Sequence, residues 1–261
     1  MSEIRSETIR VGEGDEARDI AVLTRPGTEP GVFWLGGFAS DMRGTKAEAL
    51  DAWAARSGRA FTRFDYSGHG ASGSTFAEGT ISRWLTETRA VFDRTEACQV
   101  IVGSSMGGWI AFLLTEAHRA AVDAEASRIA GLVLIAPAVD MTRVLMLDKM
   151  TKREKKQLRD EGALRSPSDY EAEGYLVTNA LIEDGEKHLF GARLIETGCP
   201  VHILQGVRDT DVPWRHAAAL VSRLASDDVV LTLVKDGDHR LSRPEDLDRL
   251  MAAIEGVTAM D

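Results

Sequence analysis

The feature that most constrains this chain is a repeated alternation of short apolar runs with apolar residues at helical spacing. The run VFWLGG (32–37) precedes a helical pattern over 44–58, with Ala49, Leu50, Trp53 and Ala54 on one face. Residues 59–64 precede a stretch over 80–95 in which Ile81, Trp84, Leu85, Thr88, Val91 and Phe92 recur at helical spacing. The run 99–102 leads into a helix after Ser105, and 132–136 forms another buried run. Runs 201–205 and 229–234 precede helical patterns over 213–224 and 244–254. Strands apolar along their whole length must be covered on both faces. The pattern therefore predicts the α/β class: a mostly parallel sheet of about eight strands between two layers of helices. Two extended segments, 7–11 and 19–24, open the chain around the turn GEGDE.

One segment breaks the rhythm. Residues 140–196 hold no convincing buried strand and carry charged, helical stretches such as TKREKKQLRDEG and YLVTNALIEDGEKHLF. More than fifty residues are too many for a plain loop in a compact domain. The expected organisation is a core of 1–139 and 197–261, with 140–196 inserted as a small helical cap over one end of the sheet.

Composition narrows the function. The chain has 261 residues, 44% hydrophobic and 28% charged, which suits one large globular domain and excludes a disordered chain. Its net charge of −10 argues against partners such as nucleic acid or an anionic membrane surface. Two cysteines, Cys98 and Cys199, cannot make a disulfide framework and suit a reducing compartment. The start, MSEIRSETIR, lacks the apolar stretch of a signal peptide, and no apolar run is long enough to span a bilayer. These features lead to the expectation of a cytoplasmic protein, with monomer and homodimer both open.

The chemistry begins at CQVIVGSSMGGWIAF. A G-x-S-x-G pattern between an apolar strand and an apolar helix marks a nucleophile elbow, in which a tight turn thrusts one serine outward at the sheet edge. Ser105 is that serine. Glycines at 103 and 107 leave room for neighbouring backbone, and the turn should aim the competing Ser104 away. A serine hydroxyl needs a base to take its proton. Of six histidines, only His239, in VKDGDHRLS, lies in a loop after a late buried strand. His118 falls in a helix, His188 in the cap, His202 at the wrong end of a strand, and His216 on a later helix. His69, in SGHG, reads as a residue that shapes its own loop. Asp209, directly after the run 201–205, is the expected acid that orients the imidazole. Asp211 is expected to cap the helix near Pro213, and Asp140 is a weaker alternative acid. Negative charge on an attacked carbonyl calls for two backbone N–H groups. Met106, after the nucleophile, is one. The other comes from Gly37 or Phe38 after VFWLGG, with Phe38 favoured. No Walker-type or dinucleotide glycine motif and no metal-ligand spacing is present, so no cofactor or metal is expected.

The elbow, the order serine–aspartate–histidine and the inserted cap resemble the α/β-hydrolase superfamily. FDYSGHGASG, VGSSMGGW, LIAPA, QGVRDTDVPW and DGDHRLS further resemble the group of the mitochondrial α/β-hydrolase-domain protein ten. That resemblance covers most of residues 30–256 and is weakest in the cap. It implies a serine esterase or thioesterase acting on acyl glucuronides or S-acylated proteins. Ser105, Asp209 and His239 would be the catalytic residues, with Phe38 and Met106 as oxyanion donors. The absence of an evident transit peptide points to a bacterial member. The same fold also hosts lipases, peptidases, cofactor-free haloperoxidases and non-catalytic binding proteins. In the cap, Met141, Val144, Leu145, Met146, Leu147 and Met150 read first as core and second as an acyl pocket. The basic residues Lys149, Lys152, Arg153, Lys155, Lys156 and Arg159 read first as a solvated helix face.

Overall fold

The computed structural model describes residues 3–167, 173–225 and 228–259. In chain order the core begins with β1 (Arg5–Val11), β2 (Arg18–Arg25), β3 (Thr28–Leu35), α1 (Thr45–Ser57), β4 (Arg59–Phe64) and α2 (Ile81–Phe92). It continues with β5 (Gln99–Ser104), α3 (Met106–Ala121) and β6 (Ile129–Ile135). The insertion holds α4 (Lys152–Glu161), β7 (Ala163–Ser166), β8 (Tyr175–Thr178) and α5 (Asn179–Gly185). The core closes with β9 (Val201–Gly206), α6 (Trp214–Val221), β10 (Val229–Val234) and α7 (Pro244–Thr258).

The main sheet has eight strands among the described residues, in the order β1-β2-β4-β3-β5-β6-β9-β10. Pairing is antiparallel at β1–β2 and β2–β4 and parallel from β4 to β10. The predicted α/β architecture is thus present, with an antiparallel hairpin extending one edge. β3 starts at Thr28, four residues before the apolar run, because TEPG is drawn into the ladder.

Alternation along the central strands builds two cores. Phe33 and Leu35 of β3 and Ile101 of β5 face α2, α3 and α6, where they meet Trp84, Trp109 and Phe112. Val32, Trp34, Val100 and Val102 face α1 and α7 and pack with Leu50, Trp53, Leu250 and Ile254. Both sets are buried, which is why these strands read as continuous apolar runs. Truncating such a residue to alanine costs about 2–5 kcal/mol, through lost burial and the cavity left behind.

Residues 140–196 carry the expected helices α4 and α5 and also an antiparallel ribbon, with Leu164 opposite Val177. Four-residue strands are too short for an alternation to register, so the sequence hid this ribbon. Residues 168–172 of the expected cap lie outside the described residues. Leu158, Leu164, Val177 and Ile182 form a small apolar cluster of the insertion's own. One carboxylate binds the insertion to the core, and another ties its two ends together. Asp184 accepts from the Ser82 N–H (2.7 Å) and hydroxyl (2.8 Å) at the start of α2. Asp140 accepts from the N–H groups of Phe190 (2.7 Å) and Gly191 (2.9 Å), which occupies the residue weighed as an alternative acid. Among the described residues no helix is long and apolar enough to cross a membrane.

Candidate active site

Parallel pairing places the loops after β3, β5, β9 and β10 at one edge of the sheet. Each carries one group singled out in the sequence. Ser105 stands at the bend between β5 and α3 with φ 54° and ψ −114°, a left-handed conformation that costs a non-glycine residue about 1–3 kcal/mol. The bend is held by its surroundings: the Ser105 N–H donates to Ile135 O (2.8 Å), and Ser105 O accepts from Gly108 and Ala138 (2.9 and 3.0 Å). Glycine is required beside it. A Cβ at Gly107 would lie 2.2 Å from Leu35 O, and one at Gly103 would lie 2.5 Å from Gly107 O.

His239 Nε2 lies 3.2 Å from Ser105 Oγ, and its Nδ1 lies 2.7 Å from Asp209 Oδ2. A carboxylate only accepts, so Nδ1 carries the ring proton and the bare Nε2 is presented to the serine hydroxyl. Asp209 is held from every side. Its Oδ1 accepts from the N–H groups of Asp211 (2.9 Å) and Val212 (2.8 Å), and Oδ2 also accepts from Gln205 Nε2 (3.1 Å). Its side chain is fully buried. Asp211 does not cap α6 as expected. Pro213 holds the N-cap position with no side-chain cap bond, and the Asp211 N–H is spent on Asp209. Asp238 shapes the histidine loop by accepting from the N–H groups of Arg240 (3.1 Å) and Leu241 (3.0 Å).

Gly37 packs against the serine, since a Cβ there would lie 3.5 Å from Ser105 Cβ. Phe38 follows it. Among the described residues neither the Phe38 nor the Met106 N–H donates to an acceptor of the protein. Met106 opens α3, where helical N–H groups have no intrahelical partner. Ser104 is buried and contributes to the wall of the same cavity, so the turn does not remove it as fully as its position suggested.

The cavity over Ser105 is about 540 Å³. One side is apolar: Met141, Leu145, Met146 and Met150 with Leu164 and Val177 of the insertion. Val144 instead points outward and is 37% exposed. The other side is polar, with Ser40, Thr45, Lys46 and Ser242. Lys46 was not singled out in the sequence. Its ammonium donates to Arg240 O, next to His239, and burial pushes its pKa down to about 8, with Asp238 partly opposing. Of the basic cap residues, Lys149 reaches the cavity wall, whereas Lys152, Arg153, Lys156 and Arg159 are exposed on α4. Trp109 and Phe112 are buried in the core.

The remaining histidines stand elsewhere. His118 Nε2 accepts from the Arg128 N–H (3.1 Å), His188 contacts Ser82 (2.7 Å), and His202 contacts Thr232 (2.9 Å). His69 does more than shape its own loop: its Nε2 accepts from the Ala39 N–H (3.2 Å), next to Phe38. Sequence reading missed that bond because the two residues belong to different loops. Among the described residues no group of His, Cys, Asp and Glu could hold a metal ion.

Comparison with known proteins identifies the fold and the family. A family model described as serine aminopeptidase, S33 matches residues 32–169. The mitochondrial palmitoyl-protein thioesterase ABHD10 of Bos taurus is 34% identical over 239 residues, covering 91% of this chain and 76% of that protein. A solved structure from Agrobacterium vitis S4 is 50% identical with a TM-score of 0.94, covering 98% of this chain and 99% of that one. Mouse α/β-hydrolase domain-containing protein 10 is 30% identical with a TM-score of 0.84, covering 96% and 97%. The chain therefore belongs to the α/β-hydrolase family and is a relative of the ABHD10 thioesterases.

Proposed function

We propose that the protein is a serine hydrolase of carboxylic esters and thioesters, with Ser105 as nucleophile, His239 as base and Asp209 as the acid that orients it. The observation that carries this reading is the unbroken chain from Asp209 Oδ2 through the His239 ring to Ser105 Oγ, at 2.7 and 3.2 Å on the floor of a cavity.

In the first half-reaction His239 Nε2 takes the Ser105 proton as Oγ bonds to the substrate carbonyl carbon. The carbonyl oxygen gains the negative charge, which the N–H groups of Phe38 and Met106 receive. Asp209 stabilises the imidazolium. Collapse of the tetrahedral intermediate breaks the carbon–oxygen or carbon–sulfur bond, and His239 returns its proton to the departing alcohol or thiol. Water then attacks the acyl-enzyme in the same way and releases a carboxylic acid and free Ser105. No cofactor enters either half.

The methionine-rich side of the cavity suits an acyl chain. Methionine is flexible and adapts to chains of differing shape. Residues 140–196 act as the cap that supplies this wall to the core of 1–139 and 197–261. ABHD10 is named a palmitoyl-protein thioesterase, and S-acylated proteins are accordingly a candidate substrate here, beside small acyl esters.

The test is intact-mass detection of a fluorophosphonate adduct on Ser105, followed by a panel of acyl thioesters, aryl esters, acyl glucuronides and aminoacyl anilides. An adduct with turnover of the first two supports the reading. An unlabelled Ser105, or turnover confined to aminoacyl anilides, overturns it.

A further inference from the structure

The motif FDYSGHGASG takes no part in the chemistry above, yet its side chains hold the loop that carries the Phe38 N–H. Ala39 has φ 57°, a conformation that costs an alanine about 1–2 kcal/mol and persists only where its neighbours enforce it. Asp65 accepts from the Met42 N–H (2.6 Å), and Arg63 Nη1 donates to Met42 O (2.8 Å), which anchors the far end of the loop. At the near end the Ala39 N–H donates to His69 Nε2 (3.2 Å). His69 Nδ1 lies 3.1 Å from Ser67 O, which only accepts, so Nδ1 carries the proton and Nε2 is bare. The ring is 4% exposed and sits among Tyr66, Phe76 and Trp84. The Phe38 ring packs on Phe76 and Trp84 as well, so imidazole and loop share one aromatic support.

We propose that His69 is a positioning residue for the oxyanion hole: its neutral, Nδ1-protonated imidazole holds the Ala39 N–H and so fixes the turn that leaves the Phe38 N–H free for the carbonyl oxygen. This rests on the reading of Ser105 as nucleophile. A proton on Nε2 would oppose two donors, His69 and Ala39, and release the turn. Burial holds the His69 pKa below its ordinary value, opposed by the Ser67 carbonyl and the Asp41 carboxylate. The other titratable or charged groups around it are Asp65 and Tyr66 on its own loop, Arg43 near Asp65, and Glu87 on α2, whose carboxylate accepts from the Ser67 N–H (2.9 Å). Asp65 is committed to the Met42 and Ala71 N–H groups, which keeps it from pairing with the ring.

Two variants test the proposal. His69→Phe keeps the ring and removes the acceptor. Its kcat should fall about tenfold to a hundredfold with KM changed less than about threefold, and a trifluoromethyl ketone should lose affinity by the same factor as kcat/KM. His69→Gln keeps an acceptor that binds no proton in this range. It should retain activity near neutrality and lose one protonation from the acid limb of log kcat/KM. A His69→Phe enzyme with unchanged kcat, or a His69→Gln enzyme with an unchanged acid limb, overturns the proposal. Should either variant fail to fold, 15N spectra of the wild type decide. A scalar coupling between Ala39 N and His69 Nε2 with an Nδ1–H tautomer supports the assignment, and an Nε2–H tautomer or a charged ring at neutral pH overturns it. If wild-type Ser105 takes no fluorophosphonate, the hydrolase reading itself falls and the proposal with it. That failure is distinguishable because the parent protein is then inert.

Discussion

Asp209 meets His239 at 2.7 Å and spends its other accepting positions on two backbone N–H groups and Gln205. The carboxylate is therefore fixed before any substrate arrives, and so is the imidazole tautomer. Asp211, two residues on, contributes its backbone N–H to that arrangement. Replacing Asp209 by asparagine puts a donor where Nδ1–H must donate and favours the wrong tautomer. We expect kcat to fall by about 10⁴. Asp211→Asn should stay within about threefold of the parent, because its backbone N–H survives the change. Steady-state kinetics of the two variants on one aryl ester check the assignment, and equal losses would remove Asp209 from the role of acid.

Ser105 and Ser104 both border the cavity, so the nucleophile is tested against its neighbour. Ser105→Ala should abolish fluorophosphonate labelling and reduce ester turnover more than about a thousandfold, with the melting temperature nearly unchanged. Ser104→Ala should keep the label. A label that persists in Ser105→Ala and disappears in Ser104→Ala would exchange the two residues.

On the proposed function, the apolar side of the cavity sets acyl length. Met146 lines it and also packs against the insertion's apolar cluster. Met146→Trp adds bulk there, so kcat/KM for long-chain acyl thioesters should fall at least about tenfold relative to acetyl thioesters. A chain-length profile that moves in parallel for all substrates would place the acyl group elsewhere.

Lys46 supplies a pH dependence with a definite sign. Its folded pKa of about 8 is below the ordinary 10.5, so between these values the unfolded chain binds a proton that the folded chain does not. Stability contributed by this site must therefore rise with pH through that window. The unfolding free energy of the parent relative to Lys46→Met should increase by about 1–3 kcal/mol from the lower to the upper end. Urea titrations at several pH values measure this, and a flat or falling difference would contradict a desolvated ammonium.

Much of this protein was legible along the chain. β6 and β9 overlap the apolar runs 132–136 and 201–205, the G-x-S-x-G bend falls between β5 and α3, and Asp209 and His239 follow the strands expected of them. These are local signals, because a strand buried on both faces needs an unbroken apolar run and a serine at a tight bend needs small neighbours. What escaped notice depends on residues far apart in sequence. The Ala39–His69 bond joins two loops 30 residues apart, and Lys46 reaches Arg240 across 194. The β7–β8 ribbon is too short to register, and the true partner of the Asp211 N–H appears only once the loop closes on Asp209. Periodicity records which side of an element is apolar, whereas a donor finds its acceptor only after the sheet has brought separate loops to one edge. That is why the sequence by itself determined the class and the candidate reacting groups, while the tertiary structure decided what holds the loop that carries Phe38 and what lines the cavity.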